Sequence, residues 1–380
     1  MISNVREVLA QLVAFPSISG SDCTAMLDWV ADYASPYVVQ CQRLPAETGR
    51  AEALLMQVGA GNGGIVLSGH LDVVPVEGQP WESDPFVLRA ADERFYGRGV
   101  CDMKGFVACA LALLPQWAPS VRKPVWLALT CDEEIGCLSA PAMANALHAA
   151  GAQGAFVWVG EPTSMQVVVA HKGITNLRTV VYGRAAHSSQ IGQGVSAVHV
   201  AARLVTKIED LMGGWQAKGY VDKHFNVPFS SLHVGRIRGG AAINVMADRC
   251  FFDWEIRHLP QTDFEEIMRY FADEVRMLEA DYDGVRIETT ATINTVAALQ
   301  DAEHGAWLDL LSCHLADTNK QYVAYATEAG AYQLAGHQTL VCGPGSIRQA
   351  HQENEWIAVT QLEQCVAVMQ SVIASHCGME

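Results

Sequence analysis

Half of the 380 residues are apolar, more than a single hydrophobic core normally holds, so two domains are expected. Acidic residues outnumber Lys and Arg by 41 to 25, a net charge of −16, which argues against nucleic acid or an anionic membrane as partner because both need a basic footprint. The N-terminal MISNVREVLAQLVAFPSISG has no basic stretch followed by a continuous apolar core, and no run approaches the roughly 20 apolar residues of a membrane span. Eleven cysteines, odd in number and without a CxxC pair, fit reduced thiols better than disulfides or a cysteine zinc site. The expectation is a cytoplasmic protein.

Helical spacing of apolar residues opens the chain over 3–15 and continues over 21–33. Short apolar runs then alternate with helical ones. Strands are expected at 53–59, 64–70, 125–130 and 155–161, with helices at 104–117 and 139–151. That alternation predicts an α/β sheet with buried, largely parallel strands flanked by helices. After about residue 172 the pattern changes. Strands at 176–187, 229–240, 250–260 and 284–293 and helices at 195–211 and 263–279 read as a small antiparallel sheet with one face covered. From about 292 the α/β pattern returns, with a helix at 304–316, a strand at QTLVCGPG and a closing helix near VTQLEQCVAVMQSVI. The second domain (173–291) therefore reads as an α+β insert in a discontinuous first domain (1–172 and 292–380).

The chemistry-bearing residues fall where strands end. GIVLSGHLD puts His70 and Asp72 two apart, on one face of a strand end. Asp72 can then orient the His70 ring rather than bind a metal itself. FYGRGVCDMKG places Asp102 in a glycine-rich loop before a helix. Glu133 and Glu134 follow one strand, Glu161 another, and His351 lies beyond a third strand and its glycine loop. Taken singly, each has a plainer explanation: a His-X-Asp surface pair, a solvated helix start, a simple turn. Together they line the sheet edge where open α/β folds bind ligands. Imidazole and carboxylate without thiolate suit zinc or a similar divalent ion, and one shared carboxylate allows a two-ion site. Cys101 and Cys131 lie close by and are read as small packing residues, and Asp132 as a supporting or structural acid.

The strings SGHLDVVP, GRGVCDMKG, CDEEIGC, GEPT, HKG and AHSS closely resemble the zinc-dependent family of acetylornithine deacetylase, succinyl-diaminopimelate desuccinylase, the aminoacylases and glutamate carboxypeptidase, and most of all its acetylornithine deacetylase branch. The likeness runs through most of the chain. It implies a zinc-peptidase-like catalytic domain with an inserted lid or dimerisation domain, two Zn2+ ions (Co2+ or Mn2+ could use the same ligands) and a homodimer. Asp102 would bridge the ions, His70 and Glu161 would complete one site, and Glu134 and His351 the other. Glu133 would be the general base, with Asp72 supporting His70. His187 would reach the partner subunit's site and stabilise the oxyanion, although the residues alone favour a packing or capping histidine. Asn244 and Arg257 would hold a substrate carboxylate; an ion pair of Arg257 with Glu255 is the plain alternative. Gly343 and Gly345 could offer backbone N–H groups to the substrate. Glu328, in YATEAG, is either a reader of the substrate side chain or an exposed loop acid.

The implied reaction is hydrolysis of an N-acyl L-amino acid, N-acetylornithine first, as in arginine biosynthesis. Alternatives are deacylation of N-acetylcitrulline or another N-acyl amino acid, desuccinylation, or a dipeptidase or carboxypeptidase activity. A different class of alternative is a catalytically silent metal-binding interaction protein.

Overall fold

The computed structural model describes residues 1–45, 51–302 and 305–378. The described chain divides into two compact units. One comprises Met1–Val169, Asp301–Gln321 and Thr327–Glu380, and the other Ala170–Gln300 and Tyr322–Ala326.

The first unit is built on a large mixed sheet. Its middle four strands run in the order Val125–Thr130, Ile65–His70, Phe156–Val159 and Gln338–Val341, and all are parallel. Ile65–His70 and Val125–Thr130 are buried at every residue, which explains their unbroken apolar runs. Ala51–Val58 pairs antiparallel with Val125–Thr130 and carries the outer strand Gln40–Pro45, which the sequence pattern had not revealed. Successive strand residues face opposite ways, and this places the covering helices. A side chain at Gly69 would strike Met103 and Val107, so helix Lys104–Trp117 covers that face. Ser68, one residue earlier, meets Tyr332 of helix Ala329–Leu334 on the other face.

Helix Lys104–Trp117 is buried on nearly all sides, hence its lack of a polar stripe. Lys104 can be fully buried because its ammonium donates to Leu12 O and Phe15 O at 2.9 and 3.0 Å, satisfying carbonyls at the end of helix Ile2–Val13. A small sheet of Arg89–Ala91, Arg94–Tyr96 and Trp356–Ala358 links the loop before Asp102 with the segment after His351.

The second unit is a four-stranded antiparallel sheet, ordered Ser231–Gly239, Arg249–His258, Gly173–Tyr182, Arg286–Val296. Gly173–Tyr182 alternates buried and half-buried residues along its whole length. Its buried face packs with helices Ala197–Ala217 and Phe264–Asp281 in one apolar cluster that includes Val181, Leu204, Phe252, Trp254 and Phe271. The short return 322–326 belongs here because Tyr322 packs edge-on against Phe225, 5.6 Å between ring centres. Among the described residues no helix is long and apolar enough to cross a membrane. The helix expected over 304–316 is observed as Gly305–Ser312, and His304 lies outside the described residues.

Candidate metal centre

The carboxyl ends of the four parallel strands gather the site. His70 is the last residue of its strand and only 1% exposed. Its Nδ1 lies 3.0 Å from Asp72 O and 3.4 Å from Asp72 Oδ1, so Nδ1 carries the proton and donates. That leaves Nε2 facing Asp102 Oδ1 at 3.1 Å and Glu161 Oε1 at 3.7 Å. Asp72 does more than orient a ring. It accepts the backbone N–H groups of Glu133 and Glu134, each at 3.2 Å, and the Ser19 hydroxyl at 2.7 Å. One buried carboxylate thus ties the His70 loop to the turn that carries both glutamates.

Asp102 lies between the two histidines. Its Oδ1 faces His70 Nε2, and its Oδ2 faces His351 Nε2 at 3.2 Å. His351 Nε2 is also 2.9 Å from Glu134 Oε1. His70, Asp102 and Glu134 form one group whose ligand atoms all lie within 4.8 Å of one another, and His70, Glu133 and Glu161 form a second. Glu161 Oε1 is buried without a hydrogen-bond partner, a costly state for an acceptor unless a cation takes it up. An oxygen and imidazole donor set with an orphaned carboxylate oxygen fits a divalent cation. Neither group contains a thiol. The Cys101 thiol donates instead to Ser346 O at 3.4 Å, and burial pushes its pKa well up.

The electrostatics have the same cause. Burial, then the neighbouring carboxylates, push Glu133 and Glu161 well above the usual range. Burial opposes ionisation of Asp102 too, yet hydrogen bonds from His351 and His70 hold it well below that range. Contact with Asp102 and Glu134 pushes His351 up to about 10. Cation binding to such a cluster is linked to proton release, His351 being the group most disposed to hold a proton in its absence.

The other expected residues stand as follows. His187 is exposed; its Nδ1 accepts the Ser189 N–H at 3.2 Å and lies 2.8 Å from the Ser189 hydroxyl, so Nε2 is the protonated, outward nitrogen. Asn244 is exposed on the neighbouring segment, and its carbonyl accepts the Ser188 N–H at 3.0 Å. Arg257 is paired with Glu255, at 2.8 Å from Nε and 3.3 Å from Nη2, as the plain alternative had it.

Two expectations need correction. Gly343 and Gly345 do not offer free N–H groups: the first donates to Thr163 Oγ1 and the second to Gln361 Oε1, both at 3.1 Å. Gly343 is instead required by close packing, since a Cβ there would sit 2.1 Å from Gly160 O and 2.5 Å from Glu161 O. Glu328 is not an exposed loop acid. It is 1% exposed, accepts the Ser68 hydroxyl at 3.1 Å, and burial raises it to about 7.

Residues 66–375 match peptidase family M20/M25/M40. The chain belongs to this family. It is 29% identical to acetylornithine deacetylase of Aliivibrio fischeri (strain MJ11), with 98% of each chain covered. It is 30% identical to acetylornithine deacetylase of Proteus mirabilis (strain HI4320), covering 98% of this chain and 97% of that one. Its fold is that of a tripeptidase from Staphylococcus aureus subsp. aureus Mu50, with a TM-score of 0.77 at 17% identity and 98% of each chain covered.

As an M20/M25/M40 hydrolase, the chain supports its centre with residues to which the sequence pattern gave no role. Ser19 holds Asp72. Ser68 lies beneath His70 and bonds Glu328 and the Tyr332 hydroxyl. Glu355 binds the loop of Asp102. Each is far from its partner in sequence or borne by an ordinary polar residue, so neither spacing nor composition marks it.

Proposed function

We propose that this M20/M25/M40 hydrolase cleaves the amide bond of an N-acyl L-amino acid, with N-acetylornithine as substrate and ornithine and acetate as products, in arginine biosynthesis in the cytoplasm. The observation that carries the chemistry is Asp102, with one oxygen toward His70 and the other toward His351. That is the arrangement expected of a carboxylate shared by two cations, completed by Glu161 beside His70 and by Glu134 beside His351. Two divalent cations, Zn2+ by the chemistry of the donors, would polarise the acyl carbonyl and acidify a water. The choice of acetylornithine rests on the relatives of that name, which match this chain almost end to end.

Glu133 is the base in this reading. Its backbone is fixed by Asp72 and its carboxyl is raised by burial, so it is suited to take a proton from water and return it to the leaving amine. Arg257 and Asn244 hold the substrate carboxylate, Arg257 turning part of its fork from Glu255 to the ligand. His187 presents its protonated Nε2 to the oxyanion of the partner subunit's substrate. Ile243 and Val245, exposed on either side of Asn244, support a second copy of the chain as the cover of this surface.

The deciding experiment strips the protein of metal, reloads it with Zn2+ or Co2+, and measures turnover of N-acetylornithine beside N-acetylcitrulline, other N-acetyl amino acids, N-succinyl-diaminopimelate and dipeptides. Metal-dependent release of ornithine well above the other products is expected. A different preferred substrate overturns the acetylornithine assignment, and silence on the whole panel overturns the enzymatic one. Glu133→Gln should bind metal normally and lose roughly 10²–10⁴-fold in turnover; a weakened metal complex would make Glu133 a ligand, as its grouping with His70 and Glu161 allows. Mixing inactive His187→Ala with inactive Glu133→Gln should restore about a quarter of wild-type turnover by random reassortment of dimers. No recovery would place His187 outside the partner's site.

A further inference from the structure

Glu355 closes the segment that carries His351, but the residue pattern gives it no role. It is 2% exposed, and both of its oxygens are fully committed. Oε1 accepts the backbone N–H of Cys101 at 2.8 Å and of Asp102 at 3.1 Å. Oε2 accepts the N–H of Gly99 at 3.0 Å and the Arg98 guanidinium at 2.9 Å. Its own carbonyl accepts the Gly97 N–H at 3.0 Å. One side chain therefore holds the backbone from Gly99 to Asp102. Gly99 is in the left-handed region (φ +83°), and a Cβ there would press on Val73 and Lys104. A tightly curled loop of this kind directs successive N–H groups to one anion, and here the anion is a residue of the chain itself.

Arg98 extends the hold to the second histidine. It is 1% exposed and donates to Gln352 O at 3.2 Å and to the Gln79 side-chain carbonyl. Gln79 in turn donates to His351 O at 2.9 Å. His351 needs such fixing, because its backbone is itself left-handed (φ +61°), an uncommon state for a residue with a side chain. A buried charge pair is costly unless its hydrogen bonds are well satisfied, and a buried apolar pair would often serve stability as well. What an apolar pair could not do is fix the backbone of Asp102 and His351 together.

We propose that Glu355, through Arg98 and Gln79, is a positioning residue that sets the separation of Asp102 and His351 and thereby the affinity of the centre for its cations. The inference rests on the metal reading given under Proposed function, and it concerns no ligand directly.

The test measures Co2+ and Zn2+ affinity by chelator competition, and the visible spectrum of the Co2+ form, in wild type, Glu355→Gln and Gln79→Ala. Glu355→Gln keeps the size of the side chain but loses the charge that binds three N–H groups and the guanidinium. Loss of outer support of this kind typically costs 10–100-fold in metal affinity. That loss is expected in Glu355→Gln, with an altered Co2+ spectrum, and a smaller loss is expected in Gln79→Ala. Excess metal should restore much of the turnover. A folded Glu355→Gln protein with wild-type metal affinity and spectrum overturns the proposal, even if its melting temperature falls, because a merely structural role predicts that result. Should Glu355→Gln fail to fold, Gln79→Ala decides on the same two readouts. Wild-type protein that binds no cation at all overturns the metal reading itself, which separates the two failures.

Discussion

At the scale of single residues, the centre shows why a carboxylate's role follows from its surroundings. Asp102 is kept ionised by two imidazoles, whereas Glu328, buried with one oxygen lacking a partner, is raised to about 7. A carboxyl that ionises at about 4.5 unfolded and about 7 folded holds an extra proton in the native state between those values. Its contribution to stability is complete below about 4.5 and is lost as pH rises through 7. Full ionisation at pH 8 costs at most roughly 3 kcal/mol, from the size of the shift. Glu328→Gln keeps the Ser68 contact without the charge. Metal-free Glu328→Gln should therefore be more stable than wild type at pH 8, by about 1–3 kcal/mol, and near parity at pH 5. Urea midpoints at the two pH values check this. A stability gain that does not depend on pH would mean that Glu328 is ionised throughout. The sequence made the candidate ligands legible because metal-binding types recur at the ends of strands and in the loops that follow them. It could not show whether Glu328 was exposed or buried, since that depends on packing against the distant strand that carries Ser68.

At the scale of elements, the long buried strands and the helix Lys104–Trp117, apolar apart from Lys104 and Gln116, were readable because their composition leaves no polar face. The edge strand Gln40–Pro45 and the three-residue strands of the small sheet were not, since short, exposed pieces carry little periodicity. The GPG turn was legible as a turn but misleading as a site. Its glycine serves the approach of the segment after Gln338–Val341 to the backbone of Gly160 and Glu161. Gly343→Ala forces those two loops apart and should cost about 2–4 kcal/mol, as overpacking against fixed backbone does. Because Glu161 moves with its loop, metal affinity should fall in the same variant. Thermal melts together with metal titration test both effects. Destabilisation with normal metal binding would show that the strain is absorbed on the Gly343 side alone.

At the scale of the whole molecule, the two units have separate apolar cores, one around the parallel sheet and one around Val181, Leu204, Phe252 and Phe271. The change from unbroken apolar runs to strict alternation near residue 172 announced the second core. The return of 322–326 to it was not legible, because Tyr322 is one aromatic residue in a segment with no periodicity. Every residue in the two metal-capable groups, and His351 as well, belongs to the first unit. A ligand that binds only the folded form stabilises the unit that holds it, by roughly 2.7 kcal/mol at a hundredfold excess over its Kd. Calorimetry should then resolve two transitions, of which chelation lowers one and leaves the other. Phe252→Ala supplies the reciprocal perturbation. It removes a fully buried ring from the second core, at a cost of about 3–5 kcal/mol, and should lower the transition that chelation spares. If chelation and Phe252→Ala both move a single common transition, the units unfold as one cooperative body, and the metal centre then depends for its stability on a core that contributes none of its ligands.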